Sequence, residues 1–528
     1  MDHLPVLIVG AGPTGLMMAC ELARHGIEFR IIDKKDQPAT GSNATWIQAR
    51  TLEIFDSMGI IDPFLKFGHP CHAINFYDQG KCLANLSLKN INSTFPFILM
   101  LPQRDTERFL NEKLEKMKIH VERSLELINI EQINNKVIST IKQPNGNTET
   151  ITSDWVIACD GANSTIREKC QLSFPGEDIP EQFMVADAKM SSFLPTDEIH
   201  VFFNKGTIFP EKATLFAAFP WSPDQYRLNA NLYFETPRQT YHEHEVKEMV
   251  AERAYGNFTI ESVSWISPFW IHGRLVNEMQ LNSIFILGDA AHLHSPAGGQ
   301  GMNTGIQDAY NLAWKLALVI KHKAKPGLLK SFQSERYSVI KNIVDKTNSL
   351  TNSVLFDKHF FHELRTFSKT LLKKGQTEKM ADELTQLSIT YKNSPIIDYD
   401  LKPPKHSPKQ GERAPNIKMN HSKTLYDYFS DNQHTILIFI GKGKNITENL
   451  IKIRENLLMK FSDIAKIIFI SNENAEEENV IADKNYHVHD AYHITNTAIY
   501  IIRPDNYISY FSEELNVKNI EMFFKKVY

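Results

Sequence analysis

The sequence predicts an α/β protein in which a parallel sheet is interrupted by a β-rich layer and followed by a smaller α/β unit. Three observations support this fold class. Residues 5–33 read as a buried strand, a helix and a second strand. Residues 176–280 carry short strands of alternating character that are rich in aromatic residues. Strand-like and helical segments alternate again after the Pro- and Lys-rich stretch 401–416, which predicts a linker.

The first unit, PVLIVGAGPTGLMMACELARHGIEFRIID, carries the most local information. Its apolar run 6–10 predicts a buried parallel strand, and the helical periodicity that follows ends at Gly26. GxGxxG at a strand-to-helix turn, with an acid about 20 residues further on, is the dinucleotide-binding pattern. Its glycines permit a tight turn, close approach of a pyrophosphate and close helix packing. The residues assigned to this site are Gly10, Ala11, Gly12, Pro13, Thr14, Gly15, Asp33 and Lys34.

The later segments follow in order. Residues 104–118 predict a helix, and 137–161 predict a hairpin that turns at 144–146 and leads into a buried strand. Residues 282–290 return to a buried parallel strand, and 304–390 are mostly helical in pattern. The glycine-rich stretch GDAAHLHSPAGGQGMN at 288–303 precedes this helical part. Because glycine is unfavourable inside helices, three of them at a helix entry indicate something bound close to the backbone.

The composition and charge of the chain limit the class of protein, its partners and its compartment. The 528-residue chain is 42% hydrophobic and 23% charged, as expected of a globular protein with two or three domains. Its net charge of −4 gives no reason to expect nucleic acid as a partner. Five cysteines without metal spacing predict free thiols in a reducing compartment, and hence a cytoplasmic protein. We expect neither a signal peptide nor a membrane span, and either a monomer or a homodimer.

Two further motifs place an acid at the end of a predicted strand. Asp160 and Gly161 follow one strand, and Gly288 and Asp289 follow another. Ligands bind at this edge of open α/β sheets, where a carboxylate can accept hydrogen bonds from ribose or ribityl hydroxyls. Each acid taken alone is equally compatible with an ordinary turn. Together with GxGxxG, in this order, they resemble the class A flavoprotein aromatic hydroxylases, the family of para-hydroxybenzoate hydroxylase and phenol hydroxylase.

The resemblance covers essentially the whole chain. It is closest to the branch with the pattern PxGGQGMNxGxxDAxNLxWKLA, present here at 296–317, which includes polyketide hydroxylases, phenolic-acid hydroxylases and rifampicin monooxygenases. It implies a Rossmann-type FAD-binding domain formed by 1–70, 97–175 and 281–345. It further implies a β-rich substrate domain at 71–96 and 176–280, a helical segment and linker at 346–411, and a thioredoxin-like domain at 412–528. That last domain contains no cysteine, which excludes thiol–disulfide chemistry and leaves support or dimer contact.

By the same resemblance the flavin ring lies against residues 298–303, at a helix N-terminus. Helix N-terminal N–H groups would stabilise the negative charge of the reduced ring there, and glycine lets the backbone approach it. Arg50 and Gln103 are expected near the phosphate–ribityl part or the ring. Asp33 should meet the adenosine ribose, Asp289 the ribityl chain, and Asp160 FAD or NAD(P)H. The further cofactor-binding assignments are Gly161, Gly288, Pro296, Gly298, Gly299, Gly301, Met302 and Asn303.

The implied function is that of an FAD-dependent monooxygenase. It would use NAD(P)H and O₂, through a flavin C4a-hydroperoxide, to insert one oxygen atom into a phenolic or polycyclic aromatic substrate. The same chemistry could inactivate a rifamycin- or tetracycline-type antibiotic, and a non-enzymatic flavin-binding protein is the alternative from another class. Asn43 stands where the family often has an arginine. No metal site is expected, and the sequence does not identify a catalytic base; His200, Tyr226, Tyr233 and His272 are open candidates.

Overall fold

The structure is a computed structural model of the chain. It describes residues 3–38, 41, 44–205, 213–232, 239–295, 298–356, 376–419, 423–430, 432–472 and 479–528. Among these residues, no helix combines the length and the apolar character that crossing a bilayer requires.

The described helices, in chain order, are α1 Pro13–Arg24, α2 Ala49–Ser57, α3 Ile61–Phe67, α4 Gln103–Lys116, α5 Thr165–Lys169, α6 Glu243–Arg253, α7 Gly301–Ile320, α8 Lys330–Phe356, α9 Gln376–Leu384, α10 Glu448–Phe461, α11 His487–Tyr492 and α12 Val517–Val527. Short 3₁₀ turns occur at Gly288–Ala290, Pro326–Leu329 and Leu425–Tyr428.

The strands before residue 176 are β1 His3–Val9, β2 Phe29–Asp33, β3 Trp46–Ile47, β4 His69–Cys71, β5 Ala73–Asp78, β6 Lys81–Ser87, β7 Ile98–Met100, β8 Glu122–Arg123, β9 Glu126–Ile133, β10 Lys136–Lys142 and β11 Thr148–Ala158. The middle strands are β12 Gly176–Ser192, β13 Glu198–Lys205, β14 Ala213–Pro220, β15 Gln225–Leu232, β16 Phe258–Leu275, β17 Gln280–Leu281, β18 Ile284–Ile286 and β19 His292–Leu293. The last strands are β20 His434–Phe439, β21 Ala465–Ser471, β22 Val480–Ala482, β23 Ala498–Ile502 and β24 Ile508–Ser512.

The first sheet has the strand order β17-β18-β11-β1-β2-β8, and β9 and β10 extend it through β11. The pairs β18–β11, β11–β1, β1–β2 and β2–β8 are all parallel. The predicted strand–helix–strand unit, the hairpin at 144–146 and the buried strand near 284 are therefore confirmed. Gly26 has φ +64° just after α1, as expected of a glycine that ends a helix.

The second sheet has the order β19-β16-β12-β15-β14-β13-β5-β6, so the strands predicted between 176 and 280 join two strands from 73–87. One face packs under α6, where Val246 and Val250 meet Met184 and Tyr226 in a common apolar cluster. The alternating pattern of this region did not predict α6. A third, three-stranded sheet has the order β3-β7-β4.

The C-terminal sheet has the order β22-β21-β20-β23-β24, with β20 to β22 parallel and β23 and β24 antiparallel. Buried charges join it to the first sheet's helices. The guanidinium of Arg503 contacts Glu335 on α8 at 2.6 Å, and Glu335 also contacts Lys315 on α7 at 2.7 Å. The thioredoxin-like assignment of this unit stays a prediction.

The predicted linker 401–416 differs from expectation at its end. The N–H of Gly411 donates to the carbonyl of Ile508 at 2.8 Å, and that of Ala414 donates to Asn506 at 2.9 Å. Arg413 is buried and contacts Glu53 on α2 at 3.0 Å. Proline and lysine predicted a solvated connection, but these long-range contacts hold 411–414 against the C-terminal sheet and α2.

Candidate cofactor and substrate site

The three glycines of the turn after β1 have different surroundings. Gly10 has φ +101°, and a Cβ there would lie 2.2 Å from the carbonyl oxygen of Cys159. A Cβ on Gly15 would lie 1.9 Å from the oxygen of Gly10. A Cβ on Gly12 would meet nothing within 4 Å. The first and third glycines therefore allow close packing of the backbone, while the second borders open space at the start of α1.

The start of α1 has unsatisfied N–H groups. Gly12 is the N-cap, Pro13 is the first helical residue, and no side chain caps the helix. Such a terminus favours an anion. Asp33 fixes the preceding loop, because its carboxylate accepts from the N–H of Ala11 at 2.6 Å and of Lys35 at 2.8 Å. The neighbouring Lys34 is exposed.

The two strand-end acids differ in their surroundings. Asp160 accepts from the Ser164 hydroxyl at 2.6 Å and from the Ile166 N–H at 3.2 Å, at the beginning of α5. Asp289 makes no hydrogen bond with any described residue. Its carboxyl is open to solvent, yet the protein encloses it enough to raise its pKa. Burial also raises the pKa of Asp160, against the effect of its hydrogen bonds. Gly161, with φ +83°, again borders open space.

Thr14 brings the two predicted halves of the site together. A Cβ on Gly288 would lie 2.5 Å from the Thr14 hydroxyl, and one on Gly305 would lie 2.3 Å from it. The start of α1, the turn that carries Asp289 and the first turns of α7 therefore adjoin one another. This contact lies at the carboxyl edge of the first sheet, since β1 and β18 both end there.

The start of α7 is a glycine turn whose backbone conformation would be strained in a residue with a Cβ. Gly298 and Gly299 have φ values of +78° and +60°, and a Cβ on Gly299 would lie 2.5 Å from the Cβ of Trp46. The N–H groups of Met302 and Asn303 have no hydrogen-bond partner among the described residues. A Cβ on Gly301 would be 3.6 Å from His294, an ordinary contact. Pro296 and Asn43 lie outside the described residues.

Sequence reasoning did not find Gln48 and Trp46, which hold this turn together with the predicted site residue Asn303. Gln48 donates from its side chain to the Gly298 carbonyl at 2.7 Å, and its N–H donates to the Asn303 side chain at 2.9 Å. Asn303 in turn donates to the carbonyl of Trp46 at 2.9 Å. These three residues join segments about 250 positions apart in sequence. No local pattern could have indicated such contacts.

A buried charged group supports the same turn from behind. Asp308 on α7 contacts His292 at 2.8 Å and Arg336 at 2.7 Å, and it accepts from the Gly288 N–H at 3.2 Å. Burial alone would raise its pKa, but Arg336 and His292 hold the pKa of Asp308 below its ordinary value. The carboxylate therefore stays charged and fixes the positions of the Gly288 turn and α7.

Two residues predicted to contact the cofactor, Arg50 and Gln103, make contacts within the protein. The Arg50 guanidinium is buried, where it contacts Glu53 at 3.1 Å, donates to the Asp505 carbonyl at 2.8 Å and lies 5.3 Å from the Tyr507 ring. Residues of the C-terminal unit therefore cover this side chain, and its contact with a cofactor stays a prediction. Gln103 begins α4, is half-buried and donates to Glu107 at 2.8 Å.

Aromatic side chains of the second sheet lie next to the α7 turn. Trp46, which touches Gly299, meets Phe219 of β14 edge to face at 5.4 Å. Arg227 is the cross-strand neighbour of Phe219 and pairs with Asp187 at 2.8 Å. Of the open candidates for a base, His200 and Tyr226 are buried in the opposite layer, and His272 pairs with Asp178 at the surface. Tyr233 lies outside the described residues.

The residues present fit FAD. An uncapped helix start suits the pyrophosphate, a carboxylate without a protein partner suits a ribityl hydroxyl, and a glycine turn with unpartnered N–H groups suits a flat anionic ring. A family model described as an FAD binding domain matches residues 3–347, well over half of the chain. The 12-dehydrotetracycline 5-monooxygenase/anhydrotetracycline 6-monooxygenase of Streptomyces rimosus is 32% identical over 435 residues, covering 80% of this chain and 83% of the relative. This chain belongs to the FAD-dependent aromatic monooxygenases.

A further relative and two solved structures are similar to this chain. The pentachlorophenol 4-monooxygenase of Sphingobium chlorophenolicum is 28% identical over 516 residues, with 95% of this chain and 93% of the relative covered. The structure of the anhydrotetracycline hydroxylase OxyS from Streptomyces rimosus matches with a TM-score of 0.76 and 25% identity over 99% of both chains. The flavin-dependent monooxygenase PieE, solved with FAD and substrate, shares the fold with a TM-score of 0.81 at 18% identity over 100% of this chain and 98% of that chain.

The family resemblance, the use of FAD and the enzyme class predicted from sequence are thereby confirmed. The individual cofactor contacts stay predictions.

Proposed function

We propose that this monooxygenase uses NAD(P)H and O₂ to insert one oxygen atom into a flat phenolic or polycyclic aromatic compound. The observation that carries the proposal is the convergence at Thr14. It places the open α1 start, the free Asp289 carboxylate and the glycine turn of α7 side by side at one sheet edge. This spatial order of a phosphate site, a hydroxyl acceptor and a ring-binding turn fits an extended dinucleotide.

Each chain segment has a distinct part in binding. The α1 start holds the pyrophosphate, and Asp33 orders the loop beside it. Asp289 accepts from the ribityl chain. The N–H groups of Met302 and Asn303 face the ring and favour its negatively charged reduced form, through both hydrogen bonding and the helix dipole. When bound, FAD supplies electron transfer from NAD(P)H to O₂ and delivery of one oxygen atom to the substrate.

The aromatic wall formed by Trp46 and Phe219 suggests where the substrate binds. Trp46 lies against the α7 turn and Phe219 extends the aromatic surface onto the second sheet, so a flat aromatic compound can stack beside the cofactor ring and away from water. Farther along the same face Arg227, paired with Asp187, lies 5.5 Å from both Trp221 and Trp265. Relatives that act on tetracycline precursors and pentachlorophenol support aromatic substrates of one to several rings.

The test is NADPH and NADH oxidation in air by the purified FAD-loaded protein, with phenols, polyketides, and tetracycline- and rifamycin-type antibiotics as additions. A compound that accelerates oxidation and gains one oxygen atom by mass would establish the reaction and its substrate class. Faster oxidation that yields only hydrogen peroxide would show an effector rather than a substrate. If no member of the panel accelerates flavin reduction and none binds, the proposed reaction is wrong for these compounds.

A further inference from the structure

His294 follows β19, at the edge of the α7 turn. Its ring stacks parallel to that of His292, with centroids 5.9 Å apart and an interplanar angle of 4°. Its Cε1 atom lies 3.6 Å from the position that a Cβ on Gly301 would take. The Cε1 atom, which is bonded to Nε2, therefore borders the first residue of the helix whose N–H groups are open among the described residues.

The hydrogen-bond partners of the two rings indicate which nitrogen of each carries the proton. His292 Nε2 faces the charged Asp308 carboxylate at 2.8 Å, so it donates there. His294 Nδ1 lies 3.4 Å from the Ser295 carbonyl, which can only accept, so Nδ1 carries the proton. Nε2 of His294 is then left with a lone pair. Burial lowers the pKa of His294 to about 4, so the ring is neutral at pH 7.

The lone pair of His294 Nε2 accepts no hydrogen bond from the described residues. Nε2 is shielded from solvent and has no hydrogen-bond partner among the described residues. Buried polar atoms in folded proteins are nearly always satisfied, and an exception needs an explanation. A leucine would fill the same space without leaving an acceptor unsatisfied. The position of Nε2 beside Gly301 indicates a donor that arrives with the ligand.

We infer that His294 contacts the cofactor, its Nε2 accepting a hydrogen bond from a ring N–H of the isoalloxazine bound on the α7 turn. This rests on the proposed flavin position. The flavin ring offers one N–H group in every redox state and a second one only when reduced. An acceptor to the first orients the ring, whereas an acceptor to the second also stabilises the reduced form.

The test uses His294→Leu, which removes the acceptor, and His294→Gln, which keeps one. The matched control is His322→Asn, an exposed site just beyond α7 where φ is +54° and asparagine is well tolerated. FAD affinity is measured by titrating the apo-protein, together with the absorption spectrum and midpoint potential of the bound flavin. His294→Leu should weaken FAD binding about three- to tenfold and shift the spectrum, while His294→Gln restores both in part.

The midpoint potential separates the two forms of the contact. A lower potential in His294→Leu identifies the N–H that exists only in reduced flavin, and an unchanged potential with weaker affinity identifies the permanent one. Unchanged affinity, spectrum and potential would overturn the inference, as would a change confined to the affinity for the aromatic substrate. If His294→Leu does not fold, His294→Ala also removes the acceptor, and wild-type FAD affinity, spectrum and midpoint potential in that variant would overturn the inference as well.

A parallel Asp289→Ala variant distinguishes this failure from failure of the flavin site as a whole. Weaker FAD binding in Asp289→Ala combined with wild-type behaviour in His294→Leu would reject only the histidine contact. Wild-type FAD binding in both variants would reject the proposed flavin position itself.

Discussion

Asp160 and Asp289 follow neighbouring parallel strands, β11 and β18, and look equivalent in sequence. Their carboxylates nevertheless have different roles in the structure. That of Asp160 accepts from the Ser164 hydroxyl and from the Ile166 N–H, and so it organises the beginning of α5. That of Asp289 has no partner among the described residues and is open to solvent.

The difference shows that position at a sheet edge does not by itself make an acid a ligand contact. A carboxylate whose acceptor sites are already used by the chain contributes to stability. One that the fold encloses without satisfying is available to a ligand, and its enclosure has a cost until the ligand binds. We therefore expect substitutions at Asp289 to change FAD affinity, and substitutions around Asp160 to change stability.

The largest expected effect is on FAD binding in Asp289→Ala. Loss of a hydrogen bond to a charged acceptor should weaken FAD affinity about 10- to 100-fold, because such bonds contribute about 1.5–3 kcal/mol. Fluorescence titration of the apo-protein measures this directly. Asp36→Ala, at an exposed acid beyond β2, serves as the control. Equal affinity in Asp289→Ala and wild type would show that the free carboxylate does not bind the cofactor.

The second effect is a loss of stability in Asp160→Ala. This change removes two hydrogen bonds and leaves the buried Ser164 hydroxyl without its acceptor, so we expect about 2 kcal/mol of destabilisation. The thermal midpoint of the apo-protein reports it. FAD affinity should fall far less than in Asp289→Ala. A tenfold or greater loss of affinity with an unchanged midpoint would reverse the assigned roles of the two acids.

Local sequence predicted most of the first sheet, because short spacings determine it. Residues close together in sequence carry the signals that predict the strand–glycine–helix unit at 5–33 and the hairpin at 144–146. The roles of Asp160 and Asp289 were less predictable. A serine four residues beyond Asp160 donates to its carboxylate, and no residue in the described part of the chain does so for Asp289. Sequence order alone carries a hint of the first contact and none of the second.

Long-range contacts account for the remaining differences. Arg50 matched a family pattern, but Asp505 and Tyr507, more than 450 positions away, cover it. Trp46 and Gly299 meet through the packing of three separate segments. The α6 helix covers one face of the second sheet, and the alternation of apolar residues along the strands did not predict this helix. These features depend on how the helices and strands pack against one another, and the periodicity of apolar residues in the sequence does not predict such packing.

A smaller effect is expected for Ser164→Ala. Ser164 is the N-cap of α5, where its hydroxyl accepts from the Arg167 N–H at 3.0 Å. Removing such a cap typically costs about 1 kcal/mol. Ser164→Thr keeps the hydroxyl and is the matched control. A thermal midpoint equal to wild type in Ser164→Ala would mean that Asp160 does not depend on this residue, and the contrast with Asp289 would weaken.

The smallest effect concerns the pH dependence of apo-protein stability in Asp289→Asn. Enclosure raises the pKa of Asp289, so the folded apo-protein binds this proton more tightly than the unfolded chain does. Wild-type stability therefore decreases as pH rises from the unfolded value, about 4, through the raised folded value. Asn has no charge to enclose, so Asp289→Asn should be more stable than wild type at pH 7, by on the order of 0.5 kcal/mol.

The stabilities of the two proteins should converge at pH 3. Saturating FAD should reverse the order of their stabilities at pH 7, because only the wild type gains a carboxylate contact. A less stable Asp289→Asn apo-protein at pH 7 would mean that the carboxylate has a stabilising partner within the chain.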